Sequence, residues 1–238
     1  MKPTKSPQLD TLQFIPNLSI DVVILGFEDN KLKVLLLRIG SKWLLPGGYI
    51  GCKEGIDDAA TRILEARTGL VDPHLQFLSV FGSADRRFGE DWELLRRNIG
   101  ISLKNENWIK DRFITLAYYS LIQIDEAKPH LSTIDDAYGW FDVDTLPELW
   151  MDHKEIVLTA RERLKQDMRL THITYNLLPD TFTMPELHQL HETILQETLD
   201  RSRFQKKMLS SGIFERLPEL AKDRPGRNPY QYRVKKQD

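Results

Sequence analysis

The sequence predicts an α/β protein in two parts: a mixed-sheet α/β/α sandwich followed by a winged helix-turn-helix. Three observations predict it. Short β-branched and aliphatic runs in the first two-thirds of the chain are interrupted by one helical stretch and closed by another. The last third shows helical periodicity twice in quick succession, then a turn-rich tail with one strand-like run. Charge divides too, at the turn between those two helical stretches. Residues 200–238 hold 11 Lys and Arg against 5 Asp and Glu, a net +6, whereas residues 1–199 hold 22 against 30, a net −8. A basic tail on an acidic body is the charge pattern of a surface that meets a polyanion.

The elements follow in order. Residues 1–18 are polar, contain three prolines and read as an N-terminal arm. Ser19–Phe27 and Lys31–Ile39 are aliphatic runs around the turn signal Glu28-Asp29-Asn30, which predicts a hairpin. Trp43-Leu44-Leu45 leads into Pro46-Gly47-Gly48, read as a chain reversal. A helix is expected over Asp57–Thr68, with Asp57 as N-cap and Gly69 as the C-terminal stop. Leu75–Phe81, Ile114–Ile124 and Tyr138–Val143 read as strands, and a helix begins near His153. Residues 87–113 are highly charged with two tryptophans, and read as a partly helical flap or as a surface insertion. Tyr175-Asn176-Leu177-Leu178-Pro179 marks a boundary. The expected division is therefore an arm over 1–18, a sandwich over 19–170 and a second domain over 171–238.

In that second domain Thr183 and Glu186 have capping-box spacing, and Leu187, Leu190, Ile194 and Leu195 form a helical stripe. After a turn at 197–199, Asp200 can cap a second helix, Arg201–Leu209, whose inward residues are Phe204 and Met208. Arg201, Ser202, Arg203, Gln205, Lys206 and Lys207 are left for solvent or a partner. The run from Arg224 to Arg233 reads as a hairpin wing with a strand at Tyr230–Val234, and Arg224, Arg227 and Tyr230 are its candidate DNA contacts. A winged helix-turn-helix lays its second helix in the DNA major groove. There Arg and Gln read base edges, while Lys and the wing arginines hold phosphates.

Hydrophobic content of 41% and charged content of 29% describe a globular chain. No apolar run is long enough to span a bilayer, and the first residues have no apolar signal core. Cys52 is the only cysteine, so no intrachain disulfide forms. A cytoplasmic protein without membrane contact is expected.

Gly48–Leu70 (GYIGCKEGIDDAATRILEARTGL) resembles the Nudix box, which runs Gly, five residues, Glu, seven residues, Arg-Glu-apolar-x-Glu-Glu-x-Gly-apolar. Gly48, Glu54, Arg62, Leu64, Gly69 and Leu70 fall in register. The three positions of the family's metal-binding glutamates hold Ile63, Ala66 and Arg67. Residues i, i+3 and i+4 share one helix face. In an active box that face carries carboxylates for Mg²⁺, which demands hard oxygen ligands. Here it offers a sec-butyl group, a methyl group and a positive charge. At about 5 Å and an effective dielectric of ~20, that charge repels a cation by several kcal/mol. Glu65 is about 100° around the helix from either neighbour. Neither a catalytic nor a metal-ligating residue is assigned, and no cofactor is expected.

From about residue 18 to 235 the chain resembles the Nudix-related transcriptional regulators, of the NAD-metabolism repressor and Bacteroidetes arabinose-regulator type. The matching segments include Gly47-Gly48, Asp58-Ala59-Ala60, Thr68-Gly69-Leu70, Phe81-Gly82, Asp85-Arg86, Ala117-Tyr118-Tyr119, Asp152-His153, Asn176-Leu177-Leu178-Pro179 and Asp200-Arg201-Ser202-Arg203-Phe204. The resemblance implies a homodimer on a palindromic operator, with the Nudix-like domain sensing a small molecule, either a pentose or an ADP-ribose-like nucleotide. The expected ligand contacts are Arg38, Trp43, Gly47, Gly48, Asp85 and Arg86. The long insertion after Arg87 departs from the family pattern. Two other readings stand beside it: a Mg²⁺-dependent hydrolase of ADP-ribose or sugar nucleotides, and a binding module whose tail joins a protein partner.

Overall fold

The computed structural model describes residues 8–10, 13–70, 75–87, 102–104, 108, 110–131, 135–170, 173–219 and 229–235. The first part is built on a seven-stranded mixed sheet. Its centre is β2 (Phe14–Glu28), long enough to serve two partners along one edge. The leading half runs antiparallel to β5 (Gly47–Gly51), and the trailing half to β3 (Lys31–Ile39). On the other edge β8 (Ile114–Leu121) runs parallel to Leu18–Leu25, and β6 (Leu75–Phe81) closes that side antiparallel to β8. β3 also holds β4 (Lys42–Leu44) and β9 (Ala137–Asp142).

β2 is apolar almost without alternation because both of its faces are covered. Ile20, Val22 and Ile24 meet α1 (Ile56–Thr68) through Ala59, Ala60, Ile63 and Leu64. Val23 and Leu25 belong to the opposite layer, with Ile156, Val157, Ala160 and Leu164 of α2 (His153–Leu170). This is the α/β/α sandwich that the strand and helix order predicts. The hairpin turn is also as expected. Asp29 and Asn30 take φ of 53° and 59°, a left-handed pair that matches the twist of the flanking strands.

Several local expectations are corrected. The arm is not separate from the sheet: β2 starts at Phe14, and Phe14 pairs with Gly51. Asn17, at φ 61°, accompanies the register shift between Phe14 and Ser19. Gly47 and Gly48 lie within β5, not in a reversal, and pair with Asp21 and Ile20. A Cβ on Gly47 would stand 2.6 Å from Asp21 Oδ1 and 2.7 Å from the Ile20 carbonyl, so β2 lies too close for any side chain there. The N-cap of α1 is Gly55, and Asp57 lies in the first turn. The Asp57 carboxylate instead accepts the Tyr118 hydroxyl at 2.7 Å, a tertiary bond that outcompetes local capping. Gly69 ends α1 as expected, at φ 70°, donating to the Glu65 carbonyl at 2.8 Å. β8 ends at Leu121, short of Ile124, which starts a 3₁₀ turn.

Most of the 87–113 insertion lies outside the described residues. Within it, β7 (Ser102–Lys104) pairs in parallel with β1 (Gln8–Asp10), tying the insertion to the N-terminal segment. Trp108 packs edge-on to Tyr49 at 5.2 Å, and its carbonyl accepts from the Asn17 side chain at 2.8 Å.

The second part is α3 (Met184–Leu195), α4 (Arg201–Ser210) and a three-stranded sheet in the order β10 (Phe182–Thr183), β12 (Tyr230–Val234), β11 (Phe214–Glu219). The Thr183–Glu186 capping box forms in both directions. Asp200 caps α4 by accepting from the Arg203 backbone N–H at 2.8 Å. Leu187, Leu190, Ile194, Phe204, Met208 and Tyr232 are buried and contiguous with the core layer under α2. The β11–β12 ladder breaks between Arg216 and Glu219, where Pro218 has no N–H to donate. Among the described residues no helix is long and apolar enough to cross a membrane.

Candidate functional site

At the degenerate box, each departure from the metal-binding pattern has a structural replacement. Ile63 is buried, and the absent Cβ of Gly48 would sit 3.1 Å from its side chain. The glycine makes room for the isoleucine rather than for a ligand. Ala66 is exposed and contributes only a methyl group. Arg67 donates to Asp135 Oδ2 at 2.5 Å and reaches the Gly47 carbonyl at 3.4 Å. Glu54 is held by Arg62 through Nε at 2.6 Å and Nη2 at 2.8 Å, and accepts the Gly51 N–H at 2.9 Å. That pairing with Arg62 keeps the Glu54 carboxyl at about 2. The loop of the box is thus braced by an internal ion pair. The family's divalent cation does not fit here, because no carboxylate occupies the face that would hold it. Among the described residues no three His, Cys, Asp or Glu side chains are grouped to bind a metal.

On the opposite face of the sheet lies a buried charge network. Arg86 is 4% exposed; it donates Nη2 to Asp21 at 2.7 Å and Nε to Asp152 at 2.9 and 3.1 Å. His153 lies alongside, with Nε2 4.0 Å from Asp21 and Nδ1 accepting the Leu45 N–H at 2.9 Å. Burial lowers the His153 pKa from its ordinary 6.5 and favours the neutral ring, the form that can accept that bond. An open groove of about 630 Å³ beside Asp152 runs along α2 past Met151, Glu155, Leu158 and Thr159. It is on the α2 side of the sheet, away from the box.

The six residues expected to meet a ligand do not form one contact set. Arg38 and Trp43 come together, the guanidinium 5.8 Å from the indole centroid, but Trp43 also packs edge-on against Phe141 at 4.5 Å. Gly47 and Arg86 both adjoin Asp21, while Gly48 faces the other way onto Ile63. Asp85 is exposed, and its carboxyl is lowered chiefly by a hydrogen bond with Ser83. Arg86 is engaged with protein carboxylates through Nε and Nη2. Sequence reasoning passed over Asp135 and Asp21, and gave Asp152 no role in a site. Each is an unremarkable aspartate until folding brings an arginine 65 or more residues away in sequence against it.

The second helix of the second domain turns its side chains as the helical period predicts. Phe204 and Met208 are buried, while Arg201, Ser202, Arg203, Gln205, Lys206 and Lys207 are all exposed on α4. His188 and His191 flank the Phe204 ring edge-on at 5.0 and 4.9 Å, fixing α4 against α3. The turn between the helices is tied at both ends of Leu199: its N–H donates to Glu192 at 2.8 Å and its carbonyl meets His188 Nε2 at 2.9 Å. Tyr230 is partly buried beneath Arg216, whose guanidinium lies 3.3 Å from the ring centroid. That arrangement makes Arg216, which the sequence reading missed, the wing's outward cation at this position. Arg224 and Arg227 lie outside the described residues.

The two parts meet at Gln196, the left-handed C-cap of α3 at φ 56°. Its side chain accepts from Lys165 of α2 at 2.9 Å and donates to Asp144, just after β9, at 3.1 Å. Thr193 adds a bond to the Asn30 carbonyl at the hairpin tip, 3.3 Å away.

Comparison with known proteins agrees with this architecture. The NUDIX domain family matches residues 17–160, and the NrtR DNA-binding winged helix domain matches residues 174–234. The chain is 25% identical over 209 residues to the ADPR responsive transcriptional repressor NtrR of Acinetobacter baylyi, covering 84% of this chain and 75% of that one. It is 26% identical over 149 residues to an ADP-ribose pyrophosphatase of Methanocaldococcus jannaschii, covering 60% of this chain and 71% of that one. Shewanella oneidensis NrtR, crystallised with a 27mer DNA, shares the fold with a TM-score of 0.72 at 24% identity, over 92% of this chain and 93% of that one. The sandwich, the degenerate box and a match spanning more than half of the 238 residues place this chain in the NUDIX domain family, with an NrtR-type winged helix domain at its C-terminal end.

Proposed function

We propose that the chain is a DNA-binding transcriptional regulator whose Nudix-family part, from β2 to the end of α2 near residue 170, senses an ADP-ribose-like nucleotide. The observation that carries this reading is α4. Within a winged helix it buries Phe204 and Met208 and turns six polar or cationic side chains outward. The names of the relatives favour ADP-ribose over a pentose as the effector. The hydrolase reading lacks its donor set, since Ile63, Ala66 and Arg67 cannot ligate Mg²⁺. The regulator binds as a homodimer to a palindromic operator, with half-sites one helical turn or a multiple apart. The Gln196 contacts to Lys165 and Asp144 are the route by which a shift in the sensing part reaches the turn before α4. An effector can move DNA affinity only by its differential binding to the two states.

Fluorescence anisotropy of the full chain on DNA from upstream of its own and neighbouring genes tests this, against scrambled DNA at near-physiological salt. The expected result is operator binding at least ~10³-fold tighter than to the scrambled sequence, shifted by ADP-ribose and not by pentoses. Equal weak binding to both DNAs, or Mg²⁺-dependent release of AMP from ADP-ribose at an ordinary turnover, would overturn it.

A further inference from the structure

The misfit between the box and its family's metal itself carries an inference. Arg67 is the last of the three substituted positions, in the final turn of α1, where the helix carbonyls favour a cation. Two features of the chain fix its guanidinium. The segment after β8 docks over the helix end, with Lys128 N–H on the Thr68 carbonyl at 2.9 Å and His130 N–H on the Arg67 carbonyl at 3.0 Å. That docking precedes Asp135, which takes Arg67 Nη1 at 2.5 Å, while Nη2 lies 3.4 Å from the Gly47 carbonyl. The Asp135 side chain is 1% exposed and that of Arg67 17%, so the accessible part of the pair is the arginine. A guanidinium there meets the electrostatic need that a divalent cation meets in an active box. It offers planar paired donors to phosphate oxygens and cannot polarise or deliver a hydrolytic water as a metal does.

We infer that Arg67, held by Asp135, replaces the divalent cation as the group that binds the diphosphate of a nucleotide effector, so that effector binding needs no metal. This rests on the effector reading given above. Asp135 is a positioning residue: it aims the guanidinium and is itself buried. Ile63 completes the exchange by filling, against Gly48, space that a buried carboxylate could occupy only at a large desolvation cost.

The test is isothermal calorimetry of ADP-ribose with the full chain, in EDTA and in excess Mg²⁺, for the natural protein and for Arg67→Gln and Arg67→Lys. Mn²⁺ binding to the ligand-free natural protein is followed in parallel by electron paramagnetic resonance. The expected results are equal affinity in EDTA and Mg²⁺, at least a tenfold loss in Arg67→Gln, a smaller loss in Arg67→Lys, and no stoichiometric Mn²⁺ site. The lysine variant keeps a partner for buried Asp135, so it reports even if the glutamine variant does not fold. Tenfold tighter binding with Mg²⁺, full affinity without the positive charge, or a stoichiometric Mn²⁺ site would overturn the inference and leave the effector reading standing. Absence of ADP-ribose binding by the natural protein in either buffer would overturn both.

Discussion

Removing the Arg86 guanidinium tests the buried network most directly. Arg86→Met keeps much of the side-chain length and deletes the charge. In the folded protein Arg86 contacts Asp21 at 2.7 Å and Asp152 at 2.9 Å, with side-chain exposures of 3%, 9% and 14% in that order. At about 3 Å and an effective dielectric of ~20, each contact attracts by roughly 5 kcal/mol, most of which offsets the cost of bringing the charges out of water. The variant leaves two carboxylates in a site built around a cation. Breaking a buried pair in this way costs about 3–5 kcal/mol. Equilibrium urea denaturation at pH 7, followed by tryptophan fluorescence and circular dichroism, measures the loss. Adding Asp21→Asn to the variant should recover part of the loss at pH 7. A deficit below ~1 kcal/mol at pH 7 would refute the reasoning and show that water or rearrangement screens these groups.

Three other predictions follow from the same structure. Because burial depresses the His153 pKa, the stability that its neutral form contributes is complete above pH 6.5 and is lost as pH falls through the folded value, so thermal stability should decline on acidification and His153→Gln should flatten that decline. Phe204→Ala removes the ring clasped by His188 and His191 and should cost about 3–5 kcal/mol; specific DNA binding that persists undiminished at 37 °C would contradict the role given to α4 packing. In anisotropy titrations on the operator, Arg203→Ala should relax sequence preference, whereas Lys207→Ala should weaken all DNA alike and reduce the salt slope by about one; identical behaviour of the two would show that α4 does not read bases as described.

What was legible in the sequence was local. The Thr183–Glu186 capping box, the Asp200 cap, the Gly69 stop and the Asp29–Asn30 turn each form where the sequence places them, because each is decided within about four residues. The buried stripe of α4 and the exposure of its polar residues followed from the 3.6-residue period. The box register likewise showed which three carboxylates were missing, with no structure needed.

Only the tertiary structure decided what replaced them. Arg67 meets Asp135 across 68 residues, Arg86 meets Asp21 across 65, and Asp57 leaves the cap of α1 to hold Tyr118 across 61. Asp85 and Arg86 are neighbours in the chain, yet one is exposed and the other buried. The difference is set by which strands lie beside β2, and no local pattern encodes that. The sequence by itself determined the elements, the charge division and the loss of the metal ligands, since these depend on residue type and short-range geometry. The structure decided the partners of each buried charge, because a charge out of water must find its complement wherever the fold brings one within reach.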